Sequence, residues 1–132
     1  MATTSEKNLR DYRDVDFSFL PHPETKNVLV KTKINAIKQS IINLMTLKRN
    51  DKPFHPEIAS PIYEFLFDNV GVIEQLVLES AVTSYLKRYE PRAKIISVDI
   101  NVFHDTIDTT ITFTALNVTE PFTVNFLINR LR

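Results

Sequence analysis

The stretch Tyr85-Leu86-Lys87-Arg88-Tyr89-Glu90-Pro91-Arg92 divides the chain into two regimes. Before it, apolar residues recur at helical spacing; after it, they alternate with polar residues at the period of strands. Pro91 has no N–H to give to a helical ladder and biases Glu90 toward extended geometry. A long helix must therefore stop near Tyr89, and a strand can begin within a few residues. Glu90 and Arg92 set opposite charges on either side of the proline. A helix stop needs only the proline, so the charges have another use: an intramolecular ion pair, or a rigid charged knob for a partner.

On the N-terminal side of this corner, Val72 to Tyr89 reads as the longest helix. It carries two apolar stripes, Ile73, Leu76, Val77 and Ala81, and Leu78, Val82 and Leu86. A surface that wide predicts a central helix covered on more than one side. Glu74 near its start and Lys87 and Arg88 near its end suit the helix dipole. Upstream, Ser60 is placed as an N-cap, with Pro61 at the first helical position. The short helix that follows has Ile62, Phe65 and Leu66 on one face and ends at Asn69-Val70-Gly71. Asn50 to Glu57 is a turn containing Pro53 and Pro56.

Thr32 is expected to cap a helix running to about Leu47. Its apolar face is Ile34, Ile37, Ile41, Leu44 and Met45, its polar face Lys38, Gln39 and Asn43, with Lys48 and Arg49 at the C-terminal end. Residues 1–31 read as an extended arm that wraps the domain or lies on a neighbour. They hold charges of both signs, Pro21-His22-Pro23, and the non-periodic Phe17, Phe19 and Leu20. Residues 32–132 form one α/β (α+β) domain.

On the C-terminal side, Ile96, Val98, Ile100 and Val102 alternate with Ser97, Asp99 and Asn101. His104-Asp105 makes a tight connection to Ile107, Ile111, Phe113 and Ala115. A turn at Asn117 to Pro121 leads to Phe122, Val124, Phe126 and Ile128. The pattern predicts a three-stranded antiparallel meander with one buried face, and two to three helices packed on it. In a meander the last strand is an edge. Phe122, Thr123, Val124, Asn125, Phe126, Leu127 and Ile128 carry no charge and no proline, whereas natural edges are usually guarded by one or the other. An unguarded edge implies that another chain pairs there, or that the N-terminal arm covers it.

Composition narrows the functions. The 132 residues suit one domain, and the 43% apolar content is that of a folded chain. Sixteen basic and 16 acidic residues cancel, so no basic field draws the chain to nucleic acid or to an anionic membrane. A net charge near zero also favours association. There is no cysteine, hence no disulfide or thiolate chemistry. Gly71 is the one glycine, so neither a phosphate loop nor a dinucleotide fingerprint can be built, and no cofactor is expected. The polar N-terminus and the lack of a long apolar run predict a cytoplasmic soluble protein with no membrane contact.

Catalytic signals are weak. His22, His55 and His104 have no ligand-like spacing, so no metal is assigned. No serine sits in a nucleophile elbow. Glu57, Glu64, Asp68 and Glu90 are the carboxylates that could serve a glycosidase, which needs two acids at a set separation and one pKa raised by burial. Glu64 and Asp68, one helical turn apart, read instead as a solvated face. The basic groups Lys48, Arg49, Lys52 and Lys87, Arg88, Arg92 complement helix C-termini; phosphate contact is the sharper alternative. No catalytic residue is assigned.

Four blocks in order carry a resemblance. They are Ala36-Ile37-Lys38-Gln39-Ser40-Ile41-Ile42-Asn43-Leu44, Lys52-Pro53-Phe54-His55-Pro56-Glu57, Leu66-Phe67-Asp68 and Tyr89-Glu90-Pro91-Arg92. Over residues 32 to 103 the chain resembles the baseplate wedge, sheath-initiator family of contractile phage tails, whose relatives occur in type VI secretion and contractile injection particles. It departs from the family at Ala59 and Ser60, where a glycine is common, and in its divergent C-terminus. The resemblance implies a sheet like that of the sheath subunit's inner domain. It implies that the first sheath ring forms by strand exchange with this sheet. It also implies that Glu90, Pro91 and Arg92 dock on wedge proteins around the central hub. The implied partners are other baseplate wedge proteins, the tail sheath protein, and hub or tube proteins. The implied place is the virion, after assembly in host cytoplasm. Some relatives carry a lysozyme label, so the competing expectation is a small glycoside hydrolase acting on peptidoglycan; a generic α/β adaptor is a third.

Overall fold

Proline at position 91 ends the long helix where the sequence requires. In the computed structural model, which describes residues 13–66, 71–116 and 118–129, that helix runs Val72–Tyr89 and the first long strand begins at Ala93. The elements in chain order are β1 (Arg13–Val15), β2 (Val30–Thr32), α1 (Ile34–Thr46), α2 (Ile62–Phe65), α3 (Val72–Tyr89), β3 (Ala93–Val102), β4 (Thr106–Ala115) and β5 (Phe122–Asn129). β3, β4 and β5 form an antiparallel meander in that order, so β3 and β5 are its edges. The α/β architecture expected from the alternation is the one observed.

Period-two burial is cleanest in β4. Ile107, Ile111, Phe113 and Ala115 point into the core, together with Thr109. In β5, Val124 and Ile128 are buried and Phe122 and Phe126 half-buried, while Thr123, Asn125 and Leu127 face out. β3 corrects the expected alternation. A bulge between Ile95 and Ser97 shifts the register, so Ile95 enters the core and Ile96 is turned out, 57% exposed. One extra residue on the bulged strand reverses which side chains face inward.

The helices cover the buried face. Leu78, Val82 and Leu86 of α3 are fully buried against β3 and the rest of the core. The other α3 stripe is not covered: Ile73, Leu76 and Val77, with Val72, lie more than half exposed. Among the described residues, the long helix is therefore covered on one side, not on several. α1 buries Ile37, Ile41 and Met45 as its spacing predicts, with Ile34 and Leu44 half-buried, and buries also Ala36 and Gln39, the latter expected on the polar face. Tyr85 on α3 donates its hydroxyl to the Leu44 carbonyl of α1 at 3.1 Å, and burial pushes its pKa up to about 12.

Helix ends differ from expectation in detail. The N-cap position of α1 is Lys33, with φ 58, one residue after the expected Thr32. α1 stops at Thr46, so Lys48 and Arg49 lie beyond its last turn, and the Lys48 ammonium sits 5.5 Å from the Tyr63 ring centroid. Ser60 does approach the start of α2, through Ile62 N–H to its Oγ at 3.4 Å. Gly71 precedes α3 as its N-cap. Phe67, Asp68, Asn69, Val70 and Asn117 lie outside the described residues.

Part of the expected arm is folded. β1 and β2 pair antiparallel, with Arg13 opposite Thr32 and Val15 opposite Val30, and the hairpin closes around His22 to Lys26. The hairpin rests on α1, where the Gln39 side chain donates to the Val15 carbonyl. Residues 1–12 lie outside the described part. Among the described residues no helix is long and apolar enough to cross a membrane.

Candidate functional site

Proline forces the chain to turn between α3 and β3, and the charges beside it settle inward. Glu90 is buried: its side chain is 2% exposed, against 30% for Arg92. Arg92 grips it as a fork, Nε to Oε1 at 2.6 Å and Nη2 to Oε2 at 2.8 Å. Ser40 of α1, fifty positions upstream, donates its hydroxyl to Oε2. The backbone closes the same corner, with Glu90 N–H on the Leu86 carbonyl at 2.8 Å and Ala93 N–H on the Glu90 carbonyl at 3.2 Å. Burial alone would raise the Glu90 pKa. The hydrogen bonds from Arg92 and Ser40 outweigh it and hold the carboxyl below its ordinary value. The corner is thus a clasp joining α1, α3 and β3. What it offers a partner is the exposed Pro91 and the outer edge of Arg92; the Glu90 carboxylate is spent inside.

The second candidate surface is the edge of β5. Its inner side pairs with β4 from Phe122 opposite Phe113 to Asn129 opposite Thr106. No described strand pairs with its other side, and the hairpin of β1 and β2 pairs only with itself. The opposite edge, β3, is interrupted by its bulge and carries Lys94 and Asp99 exposed, the two devices that discourage pairing. β5 carries neither. Its outward side chains are small or neutral, with Leu127 68% exposed. A hollow of about 500 Å³ lies at its end, lined by Thr46, Lys48, Arg49, Tyr63, Leu66, Leu127, Ile128 and Asn129.

A third feature was not legible as a site. In the Lys52-Pro53-Phe54-His55-Pro56-Glu57 block, Phe54 takes φ 66 and is 97% exposed. The left-handed region is costly for a bulky residue, of order 1–2 kcal/mol. The loop therefore holds a bare phenyl ring in solvent in a strained conformation.

The described carboxylates weighed for glycoside chemistry sit in different settings. Glu57 is exposed and bonds His55 Nδ1 at 3.0 Å, while Glu64 is exposed on α2 and Glu90 is inside the corner. Backbone and His55 hydrogen bonds hold Glu57 below its ordinary pKa, and Glu90 is shifted the same way. A glycosidase's acid must be shifted upward. Asp68 lies outside the described residues. The histidines have local partners: His22 accepts from the Glu24 and Thr25 N–H groups in the hairpin turn, at 3.3 and 3.4 Å.

Comparison with known proteins bears on the chain as a whole. No family model matches the chain. Over 80 residues it is 26% identical to baseplate wedge protein gp25 of Enterobacteria phage T4. That match spans 61% of this chain and 61% of the relative. Two solved structures share the fold. A Geobacter sulfurreducens protein crystallised under the provisional name of tail lysozyme superposes with TM-score 0.65 at 17% identity, covering 73% of this chain and 89% of that one. A chain of the anti-feeding prophage baseplate, solved by cryo-electron microscopy with six-fold symmetry, superposes with TM-score 0.62 at 16% identity, covering 87% and 82%. The resemblance to the baseplate wedge family, carried in the sequence by four short blocks, thus holds in direct comparison.

Proposed function

We propose that this chain is a structural component of a contractile-tail baseplate, and that it starts the sheath by lending an edge of its sheet to the first sheath subunits. The supporting observation is the open edge of β5: eight residues, Phe122–Asn129, paired on one side and free of charge, proline and bulge along their length. An added strand gains affinity from main-chain hydrogen bonds, and side chains fix its register. The relative in phage T4 is a baseplate wedge protein, which supports the setting. Pro91 and the outer face of Arg92 are the docking element toward other wedge proteins in this reading, with Glu90 acting from inside to hold them rigid. The chain has no catalytic role in it, and binds neither nucleic acid nor membrane.

The test is substitution on the outer edge. Asn125 is exposed, so Asn125→Pro removes one N–H from β5 without touching the core. We expect Asn125→Pro protein to keep its circular dichroism spectrum and enter baseplates, yet to leave tails without sheath, with Thr123→Lys and Asn125→Lys giving milder loss. Full sheaths on folded Asn125→Pro protein would transfer the role to the β3 edge.

The hydrolase reading rests on the name given to the Geobacter protein. It is checked by incubating wild type, Glu57→Gln and Glu64→Gln with purified peptidoglycan. No release of soluble fragments is expected from any of them; turnover by wild type that either variant loses would replace the structural reading.

A further inference from the structure

The outer edge of β3 is guarded unevenly. Its bulge between Ile95 and Ser97 and the exposed charges of Lys94 and Asp99 protect it as far as Asp99. Ile100, Asn101 and Val102 beyond that point carry neither charge nor bulge. Ile100 lies opposite Thr109 of β4, with its side chain 1% exposed in the core. Its backbone N–H and C=O both meet side chains of α3. The N–H donates to Glu79 Oε1 at 3.2 Å, and the C=O accepts from Gln75 Nε2. Gln75 Nε2 also donates to Glu79 Oε1, at 3.4 Å.

One residue of an adjacent antiparallel strand would offer Ile100 one acceptor and one donor. Gln75 and Glu79 offer the same pair from a helix, because positions four apart share a helix face. That face also carries Leu78, Val82 and Leu86, all fully buried, which press α3 onto the sheet and set the two half-buried polar side chains at its rim. Before Leu78, α3 buries no apolar side chain, so Gln75 ties the start of the helix to the sheet by a polar contact. Val98 and Val102, two positions to either side of Ile100, turn their backbone groups the same way. A strand that is to pair along this part of β3 must therefore displace Gln75 and Glu79.

We infer that Gln75 and Glu79 decide which edge of the sheet takes another strand: they close β3 from within the chain and leave β5 as the open edge. What they exclude is pairing of β3 with the β3 of a second copy of this chain. Such pairing needs no second surface, because an isologous contact uses the same patch on both copies. Unpaired backbone groups along a sheet edge are enough to start it. The inference does not rest on which protein pairs with β5, so it stands apart from the sheath reading.

The double variant Gln75→Ala/Glu79→Ala tests it in the full chain. Alanine keeps helix propensity, so the circular dichroism spectrum is expected to be unchanged. In dilute solution the Ile100 amide is expected to exchange its hydrogen at least about tenfold faster than in wild type. At higher concentration, sedimentation is expected to show a dimer of the double variant that wild type does not form under the same conditions. Adding Asn101→Lys, a charge at an exposed position of β3, is expected to abolish that dimer, and adding Thr123→Lys on β5 to leave it. If the double variant does not fold, Gln75→Ala alone carries the same readouts. An Ile100 amide that exchanges as in wild type overturns the inference, as does a folded variant no more associated than wild type. A dimer that Asn101→Lys leaves, or that Thr123→Lys removes, overturns it too, the latter placing the self-pairing on β5.

Discussion

At the scale of residues, Glu90 decides how the corner behaves. Its carboxylate is buried with a bidentate arginine and a serine hydroxyl as partners. Removing Arg92 strands a buried charge, which typically costs about 3–5 kcal/mol when the partner is also buried. Arg92 is 30% exposed, so water can partly replace it, and the low end of that range applies. Arg92→Ala is thus expected to lower the urea midpoint of the isolated chain clearly, whereas a freely exposed pair would shift it by at most about 1 kcal/mol. The pH dependence follows from the sign of the shift. Glu90 has a folded pKa below its ordinary 4.5, so its contribution is complete above about that value and is lost as pH falls through the folded pKa. Wild type should lose midpoint stability on acidification below pH 4.5, and Glu90→Gln should lose less over that range. Phe54 offers the opposite case. Replacing it by glycine relieves a left-handed phenylalanine that is almost wholly in solvent, so Phe54→Gly should leave thermal stability unchanged or slightly raised, within about 1 kcal/mol. A drop in incorporation into baseplates by this fully folded variant would identify the ring as an anchor.

At the scale of elements, the proline and the two periodicities were enough to place α3 and the three strands. Pro91 acts on its neighbours in sequence, and alternation is a property of a strand read alone. The features that escaped depend on distant partners. Ile95-Ile96-Ser97-Val98 fits either strand register, and only pairing with Phe113 and Thr112 fixes the bulge that buries Ile95 and exposes Ile96. Ile95→Ala should accordingly cost about 2–4 kcal/mol in chemical denaturation, with Ile96→Ala near neutral. Glu90 could be read as knob or clasp because Ser40 is remote in sequence. α3 shows two stripes, and nothing local states which one the sheet covers. The hairpin reads from sequence as an extended arm because its apolar residues follow no period, a consequence of the excursion from Phe17 to Leu20 and the left-handed turn at Lys26.

At the scale of the whole molecule, the core is built on one face of the sheet, and the proposed partner surfaces lie on its rim. The clasp joins α1, α3 and β3 as one unit, and in the proposed function that unit is the platform from which β5 templates another strand. The central claim is that β5 serves this purpose, and a cryo-electron microscopy reconstruction of assembled tails, with strands resolved at the junction of baseplate and sheath, addresses it most directly. The expected result is a fourth strand from a sheath subunit hydrogen-bonded along Phe122–Asn129, with Thr123, Asn125 and Leu127 on the outward face of the enlarged sheet. A reconstruction in which the outer edge of β5 stays unpaired while the sheath attaches elsewhere on this chain would contradict it.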